Sequence, residues 1–439
     1  MSKPLVAIVG RPNVGKSTLF NRIVGRRIAI VEDTPGITRD RMYAETDWNG
    51  KEFVMIDTGG ILFNDHDPLK QDVTAQAQVA MDEADVIVFL VDANTGINPL
   101  DVEIADTFRG AKKPVLLVAN KADNMKRDQD STEFYALGLG DVYPISALNG
   151  RSVADVLDEV VKALGELSGE AEYPDDAIRI AIIGRPNVGK SSLTNAILGQ
   201  KRVIVSNIPG TTRDAVDTVF KRGDDTIVLI DTAGIRKSGK IQGTVEYYTV
   251  LRAVRAMERA DVALILIDAH EGLRDGDKRV AGFAHEAGRA CVIVVNKWDL
   301  VSDEDMREFA DNIKRQIPFL DYAPVVFTSA TEGTGISAAV DTALEVVSNH
   351  SMRIQTGELN RILQEAADAH PYSRKGKDLK IKYATMTGVK PPTIVIFVND
   401  PELAHFSYIR YIENRIRREY SYEGTPLRIV VRSAKKERK

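Results

Sequence analysis

The chain opens on an unbroken apolar run, Leu5-Val6-Ala7-Ile8-Val9, and a similar run, Ile178-Arg179-Ile180-Ala181-Ile182-Ile183, begins its second part. Short continuous apolar runs bounded by turn residues predict strands buried on both faces of a parallel sheet. Further runs at 53–56, Val86–Asp92 and 115–118 recur as 227–230, Val262–Asp268 and 292–295. Between them the period lengthens. Val153, Val156, Leu157, Val160, Val161 and Leu164 share one face of a helix. Asn49-Gly50 lies between two strand-like runs and predicts a hairpin, which sets one antiparallel strand beside an otherwise parallel sheet. Strands alternating with helices predict two tandem α/β domains, each a mostly parallel sheet flanked by helices.

Beyond Ser351 the pattern changes. Leu359, Ile362, Leu363 and Ala366 form a helical stripe. Leu379, Ile381 and Tyr383 alternate with Lys380 and Lys382, predicting a strand with one basic face. A second strand follows at 394–398. Ile409, Ile412 and Ile416 mark a helix with Arg410, Arg417 and Arg418 opposite, and Leu427, Ile429 and Val431 end the series. The order α-β-β-α-β predicts a small α+β domain. The expected division is residues 1–167, an acidic linker at 168–176, residues 177–350, and a basic domain at 351–439.

Both α/β parts carry the same octet directly after their first strand. Gly10-Arg11-Pro12-Asn13-Val14-Gly15-Lys16-Ser17 is repeated as Gly184-Arg185-Pro186-Asn187-Val188-Gly189-Lys190-Ser191, with Thr18 and Ser192 continuing into helix-forming sequence. The pattern G-x-x-x-x-G-K-[ST] has a mechanism: backbone N–H groups wrap phosphates, the lysine reaches the outer phosphates, and the hydroxyl faces Mg²⁺. A helix N-terminus behind the loop adds its dipole. Asp57-Thr58-Gly59-Gly60 ends the strand at 53–56, as Asp231-Thr232-Ala233-Gly234 ends that at 227–230. In such D-x-x-G elements the aspartate sits near Mg²⁺ and the last glycine senses the γ-phosphate. Pro35-Gly36-Ile37-Thr38-Arg39-Asp40 matches Pro209-Gly210-Thr211-Thr212-Arg213-Asp214, and all three elements repeat at an offset of 174 residues.

Asn120-Lys121-Ala122-Asp123 and Asn296-Lys297-Trp298-Asp299 follow apolar runs. A carboxylate here accepts both N1–H and the 2-amino group of guanine, and adenine offers no such pair, so the site rejects adenine by leaving a buried acceptor unpaired. Ser146-Ala147-Leu148 and Ser329-Ala330-Thr331 complete each set, with a backbone N–H directed at guanine O6. The expected chemistry is GTP hydrolysis to GDP and phosphate at two sites. Lys16 and Lys190 stabilise β/γ charge, and Ser17, Thr38 and Asp57, with Ser191, Thr212 and Asp231, hold Mg²⁺. Gly60 and Gly234 sense the γ-phosphate beside Thr38 and Thr212. Many GTPases place glutamine after D-x-x-G to orient water; here stand Ile61 and Ile235.

Two tandem P-loop domains with G-R-P-N-V-G-K-S twice, followed by a small basic domain, resemble the Der (EngA) family of bacterial double GTPases over the whole chain. The resemblance, within the TrmE-Era-EngA-like group, implies GTP hydrolysis coupled to maturation of the large ribosomal subunit. Resemblance to potassium-activated GTPases implies that Asn13 and Asn187 ligate K⁺ alongside phosphate oxygens. The C-terminal order resembles a KH RNA-binding fold with one helix fewer. It departs from that fold in lacking G-x-x-G after Ser351, the loop that clamps nucleic acid in KH domains. Contact with rRNA must then use another surface. The competing reading is a regulator whose C-terminal domain docks a protein.

Charge sharpens this division. The 439-residue chain has net charge −5, but residues 351–439 carry 18 Lys/Arg against 10 Asp/Glu, or +8, leaving −13 for the rest. A basic domain on an acidic GTPase pair points to a polyanion partner. The single cysteine, Cys291, excludes an intrachain disulfide and fits packing in an apolar strand. No run approaches membrane-spanning length, and the first strand starts without a basic-then-apolar leader. A cytoplasmic monomer that meets neither DNA nor bilayer is expected.

Overall fold

The computed structural model describes residues 3–25, 43–58, 77–78, 80–81, 84–111, 113–165, 173–174, 176–200, 203–206, 217–230, 245–301, 305–374 and 376–434. These fall into two compact units. One holds the first α/β domain with most of the helix Val245–Arg259; the other holds the rest of the second α/β domain and the C-terminal domain.

In the first domain the strands are β1 (Leu5–Val9), β2 (Tyr43–Trp48), β3 (Lys51–Asp57), β4 (Val86–Asp92), β5 (Val115–Asn120) and β6 (Val142–Pro144). They pair in the order β2-β3-β1-β4-β5-β6. Among the described residues of this sheet only β2 runs antiparallel, against β3. The hairpin turn has Asn49 at φ 48° and Gly50 at φ 78°, the left-handed pair that a two-residue turn requires. Every residue of β1 and β4 is buried, because helices cover both faces; this is why these strands read as unbroken apolar runs. One face packs on the helix Lys16–Val24 and on Val153–Gly165 through Val156, Leu157, Val160 and Leu164.

The second domain repeats the plan with β7 (Ile178–Gly184), β8 (Val203–Ser206), β9 (Thr218–Arg222), β10 (Asp225–Ile230), β11 (Val262–Asp268), β12 (Ala290–Asn296) and β13 (Val325–Phe327). Its order is β13-β12-β11-β7-β10-β9-β8, with β8 and β9 antiparallel at one edge. Tyr173, at the end of the predicted linker, is fixed to this domain by its hydroxyl on Asp217 at 2.5 Å; residues 168–172 lie outside those described.

The C-terminal domain has the helix Thr356–Ala369, then a small hairpin of β14 (Ser373–Arg374) and β15 (Lys377–Asp378). There follow β16 (Ile381–Val389), β17 (Pro392–Val398), the helix Phe406–Glu419 and β18 (Arg428–Ser433). β16 and β17 are antiparallel and β17 and β18 parallel. A register shift between Ile381 and Tyr383 breaks the predicted alternation. The extra residue turns Tyr383 out of the core, so it is 48 % exposed while Ala384 and Met386 are buried. Arg417 also departs from expectation. It is not on an open basic face: Nη1 donates to Tyr422 O at 3.0 Å and Nη2 to Thr425 O at 2.9 Å, and its guanidinium lies 5.1 Å from the Tyr322 ring centroid. One helical step from buried Ile416 brings it against the second α/β domain rather than into solvent.

That contact is backbone-deep. The Cys291 N–H at the start of β12 donates to Gly424 O at 2.7 Å, and the Gly424 N–H donates to Tyr322 O at 2.8 Å. Arg428 adds a bond to Glu286 O at 3.2 Å.

Candidate functional site

Each P-loop bridges the buried end of a strand and the first turn of a helix, β1 to Lys16–Val24 and β7 to Lys190–Leu198. Gly15 and Gly189 have φ 100° and 102°, and a Cβ there would stand 2.3 and 2.2 Å from the Asn120 and Asn296 amides. Backbone conformation and close approach therefore both demand glycine at this position. Asn13 and Asn187 sit at φ 68° and 65°, a left-handed conformation that asparagine tolerates better than most residues.

Lys16 Nζ donates to Gly10 O at 2.7 Å and Arg11 O at 2.9 Å; Lys190 Nζ does the same to Gly184 O at 2.8 Å and Arg185 O at 2.6 Å. The ammonium is thus centred over the loop that would wrap phosphates. Burial pushes the Lys16 pKa down, with Asp57 acting against it, so an incoming polyanion relieves the cost of holding that charge. Ser17 Oγ lies 2.5 Å from Asp57 Oδ2. A hydroxyl and a carboxylate converging beyond the P-loop make a hard oxygen set, which fits Mg²⁺.

The base-reading elements are tied to the same loops. Asn120 Nδ2 donates to Val14 O at 2.8 Å, and Asn296 Nδ2 to Val188 O at 2.9 Å. Both side chains are buried. Their oxygens accept the N–H groups of Ala147 at 2.9 Å and Ala330 at 3.1 Å. Of the backbone N–H groups in the turn expected to face guanine O6, the alanine's is therefore engaged by the protein itself. Ser146 Oγ and Asn149 Nδ2 hold the Asp123 carboxylate at 2.6 and 3.2 Å. At the second site Ser329 Oγ stands 3.1 Å from Thr331 Oγ1 instead.

Four partners of these motifs escaped the sequence reading. Asp92 and Asp268, the last residues of β4 and β11, receive Lys121 Nζ at 2.7 Å and Lys297 Nζ at 2.6 Å. Lys121 also donates to Asn13 O at 2.8 Å, joining base-reading loop to P-loop. Burial works to raise the Asp268 carboxyl, but Lys297 and the N–H groups of His270 and Glu271 outweigh it and leave it below its ordinary value. The Asp repeated at the ends of β4 and β11 was the available signal. Arg11 reaches buried Asp101 at 3.4 Å, and Arg185 reaches buried Asp277 at 2.8 Å, anchoring the P-loops to the helices that follow β4 and β11. Burial raises both carboxyls against the pull of those arginines.

Thr38, Gly59, Gly60 and Ile61 of the first copy lie outside the described residues, as do Thr212, Asp231, Thr232, Ala233, Gly234 and Ile235 of the second. Thr58 is described; its hydroxyl donates to Ile8 O at 2.7 Å.

Comparison with known proteins agrees with this geometry. The family described as 50S ribosome-binding GTPase matches twice, at residues 5–121 and 179–297. The family described as the C-terminal KH-domain-like part of EngA bacterial GTPase enzymes matches residues 353–432. GTPase Der of Pelotomaculum thermopropionicum is 52% identical over 440 residues, covering 100% of both chains. GTPase Der of Staphylococcus haemolyticus is 53% identical over 435 residues, covering 98% of this chain and 99% of its own. Among solved structures, a variant of Aquifex aeolicus Era bound to GDP·AlF4⁻ is 26% identical, covering 59% of this chain and 88% of that one, but its TM-score of 0.28 adds nothing to the assignment. With full-length relatives above 50% identity and a GTPase family match in each half of the chain, the chain belongs to the Der (EngA) family and is a GTP-hydrolysing enzyme with two sites.

Proposed function

We propose that this GTPase is a nucleotide-controlled RNA-binding factor in assembly of the large ribosomal subunit. The family model's description as a 50S ribosome-binding GTPase supports the ribosomal side. One observation carries the RNA side. In the C-terminal domain Ala384, Met386, Ile394, Ile396, Ile429 and Val431 turn toward the core. The opposite sheet face then carries a cross-strand row, Tyr383–Phe397–Arg432. The two rings stack at 4.3 Å and 14°, and Arg432 and the neighbouring Lys382 are exposed. An exposed aromatic on a sheet, flanked by cations, suits a base stacked on the ring with phosphates at the charges. This surface replaces the missing G-x-x-G clamp.

Within each GTP site, Lys16 and Lys190 take the role of neutralising β/γ-phosphate charge. Ser17, Thr38 and Asp57, with their counterparts Ser191, Thr212 and Asp231, are the residues that would hold Mg²⁺. The bound ion supplies electrostatic stabilisation of charge on the phosphate oxygens. With isoleucine in place of the water-orienting glutamine, we assign Asn13 and Asn187 to K⁺, a cation able to spread charge as an arginine finger does.

The test is co-sedimentation of the full chain with large ribosomal subunits at rising salt. Binding is expected to fall steeply as counterions are released, and Tyr383→Ala together with Lys382→Gln and Arg432→Gln is expected to weaken it strongly in a protein that still turns over GTP. Undiminished binding by that triple variant removes the sheet face from the proposal. Absence of pelleting by the wild type removes the ribosomal partner.

A further inference from the structure

The two GTP sites differ in how their base-reading loop is braced. In the first copy Arg22 lies in the last turn of the helix that begins at the P-loop lysine. Its Nε donates to Ala147 O at 3.0 Å and its Nη2 to Leu148 O. The guanidinium lies over Gly150, where a Cβ would meet Nη1 at 3.4 Å. A second arginine braces the other side. Arg151 Nη1 donates to Ala122 O at 3.0 Å and to Asp128 Oδ1 at 2.7 Å, linking the Ser146–Arg151 turn to the Asn120–Asp123 loop.

The second copy is a comparator within the same chain. Its turn closes in the same way, Ser329 N–H to Thr334 O at 3.0 Å against Ser146 N–H to Arg151 O at 3.1 Å. Aligning the P-loops and these turns places Ala196 opposite Arg22 and Thr334 opposite Arg151. Neither residue can reach across as a guanidinium does.

Peptide geometry gives the Arg22 contact a direction. Across a planar trans peptide the carbonyl and the following N–H point opposite ways. Holding Ala147 O from behind therefore aims the Leu148 N–H forward. The Ala147 N–H is already spent on Asn120, so the Leu148 N–H is the donor left for guanine O6.

We infer that Arg22 is a positioning residue for guanine recognition at the first site: it fixes the Ala147–Leu148 peptide so that the Leu148 N–H meets guanine O6, and the second site works without this brace. Arg151 supports the same loop from the side of Asp123. The inference rests on the reading of 146–148 as the O6-binding turn. Preorganising a loop strengthens binding by lowering the ordering cost, and the gain is lost mainly as faster release.

The experiment is stopped-flow release of mant-GDP from the full chain loaded at both sites, with Asp299→Asn identifying the second-site phase. Arg22→Ala is expected to speed first-site release by about tenfold, the scale of one well-placed hydrogen bond. The second-site phase should stay unchanged, Arg22→Lys should recover part of the loss, and Ala196→Arg should slow the second-site phase. Mant-6-thio-GDP, whose sulfur accepts poorly, should show a much smaller difference between wild type and Arg22→Ala. Unchanged first-site release in Arg22→Ala overturns the inference. So does equal acceleration for both nucleotides with a lowered melting temperature, since that marks a role in folding alone. If Asp123→Asn leaves first-site GDP release unaltered, the base-reading assignment fails instead, whatever Arg22 does.

Discussion

At the scale of single residues, guanine specificity is assigned as a proposal to two carboxylates, Asp123 and Asp299, and the first is held by Ser146 and Asn149. Asp123→Asn and Asp299→Asn are each expected to weaken GDP binding at their own site by ~100-fold or more, since a charge-assisted pair is lost and a like donor faces N1–H. Xanthosine diphosphate should bind in its place, because an amide suits the C2 carbonyl. Titration with both nucleotides checks this, and equal competition by ATP and GTP at the wild-type sites contradicts it. The P-loop asparagines carry two roles that substitution can separate. At φ 68° and 65°, Asn13→Ala and Asn187→Ala strain the backbone by about 1 kcal/mol as well as removing the amide. Asn→Gly keeps the conformation and removes only the ligand atom. If K⁺ binds there, GTPase activity in wild type rises when K⁺ replaces Na⁺ at constant ionic strength, and Asn→Gly loses that rise. A K⁺ response that survives in the glycine variants leaves asparagine as a loop-shaping residue only.

At the scale of elements, the helix Ile336–His350 ends on a buried histidine. His350 Nδ1 has no hydrogen-bond partner among the described residues. Burial, with Lys390 and Arg289 nearby, pushes its pKa from 6.5 down to about 4. The folded form therefore holds the ring neutral while the unfolded chain protonates it. Stability supplied by the neutral ring is complete above pH 6.5 and is lost as pH falls toward 4, by up to about 3 kcal/mol. Urea melts of the second unit at pH 7.5 and 5 are expected to show this loss, and His350→Gln to flatten the slope. A slope unchanged in the variant assigns the acid sensitivity elsewhere. Lys390 comes from the C-terminal domain, which meets the second GTPase domain through Gly424 at the start of β12. That strand ends at Asn296, so a single element runs from the contact to the guanine-reading residues.

At the scale of the molecule, two hydrolytic sites and one basic domain share a chain. The switch segments around Thr38, Gly60, Thr212 and Gly234 are the parts expected to respond to γ-phosphate. Ribosome binding should be tightest with a non-hydrolysable GTP analogue at both sites. Equal pelleting in apo, GDP and analogue forms would refute the switch while leaving the charge dependence standing. Neutralising Lys382, Arg418 and Arg432 together should lower the salt slope by roughly 2 to 2.7, as each phosphate contact contributes about 0.7–0.9. Arg417 is left out because its donors are held by Glu413, Tyr422 and Thr425.

Much was decided by sequence alone. Motif order, the 174-residue offset and apolar runs of strand length specify two mostly parallel sheets with phosphate and guanine loops at their strand ends. Local chemistry suffices there, because a P-loop is a backbone conformation encoded by adjacent residues, and buried parallel strands leave an unmistakable hydropathy trace. Tertiary structure decided what depends on partners distant in the chain. The bulge at Tyr383 turned an expected core position outward. Arg417 was drawn from a solvent face onto Tyr322, 95 positions earlier. Arg22 met the carbonyls of Ala147 and Leu148 across 125 and 126 positions. Residue type and period state what a side chain is able to do; only the folded chain settles which atoms stand opposite it.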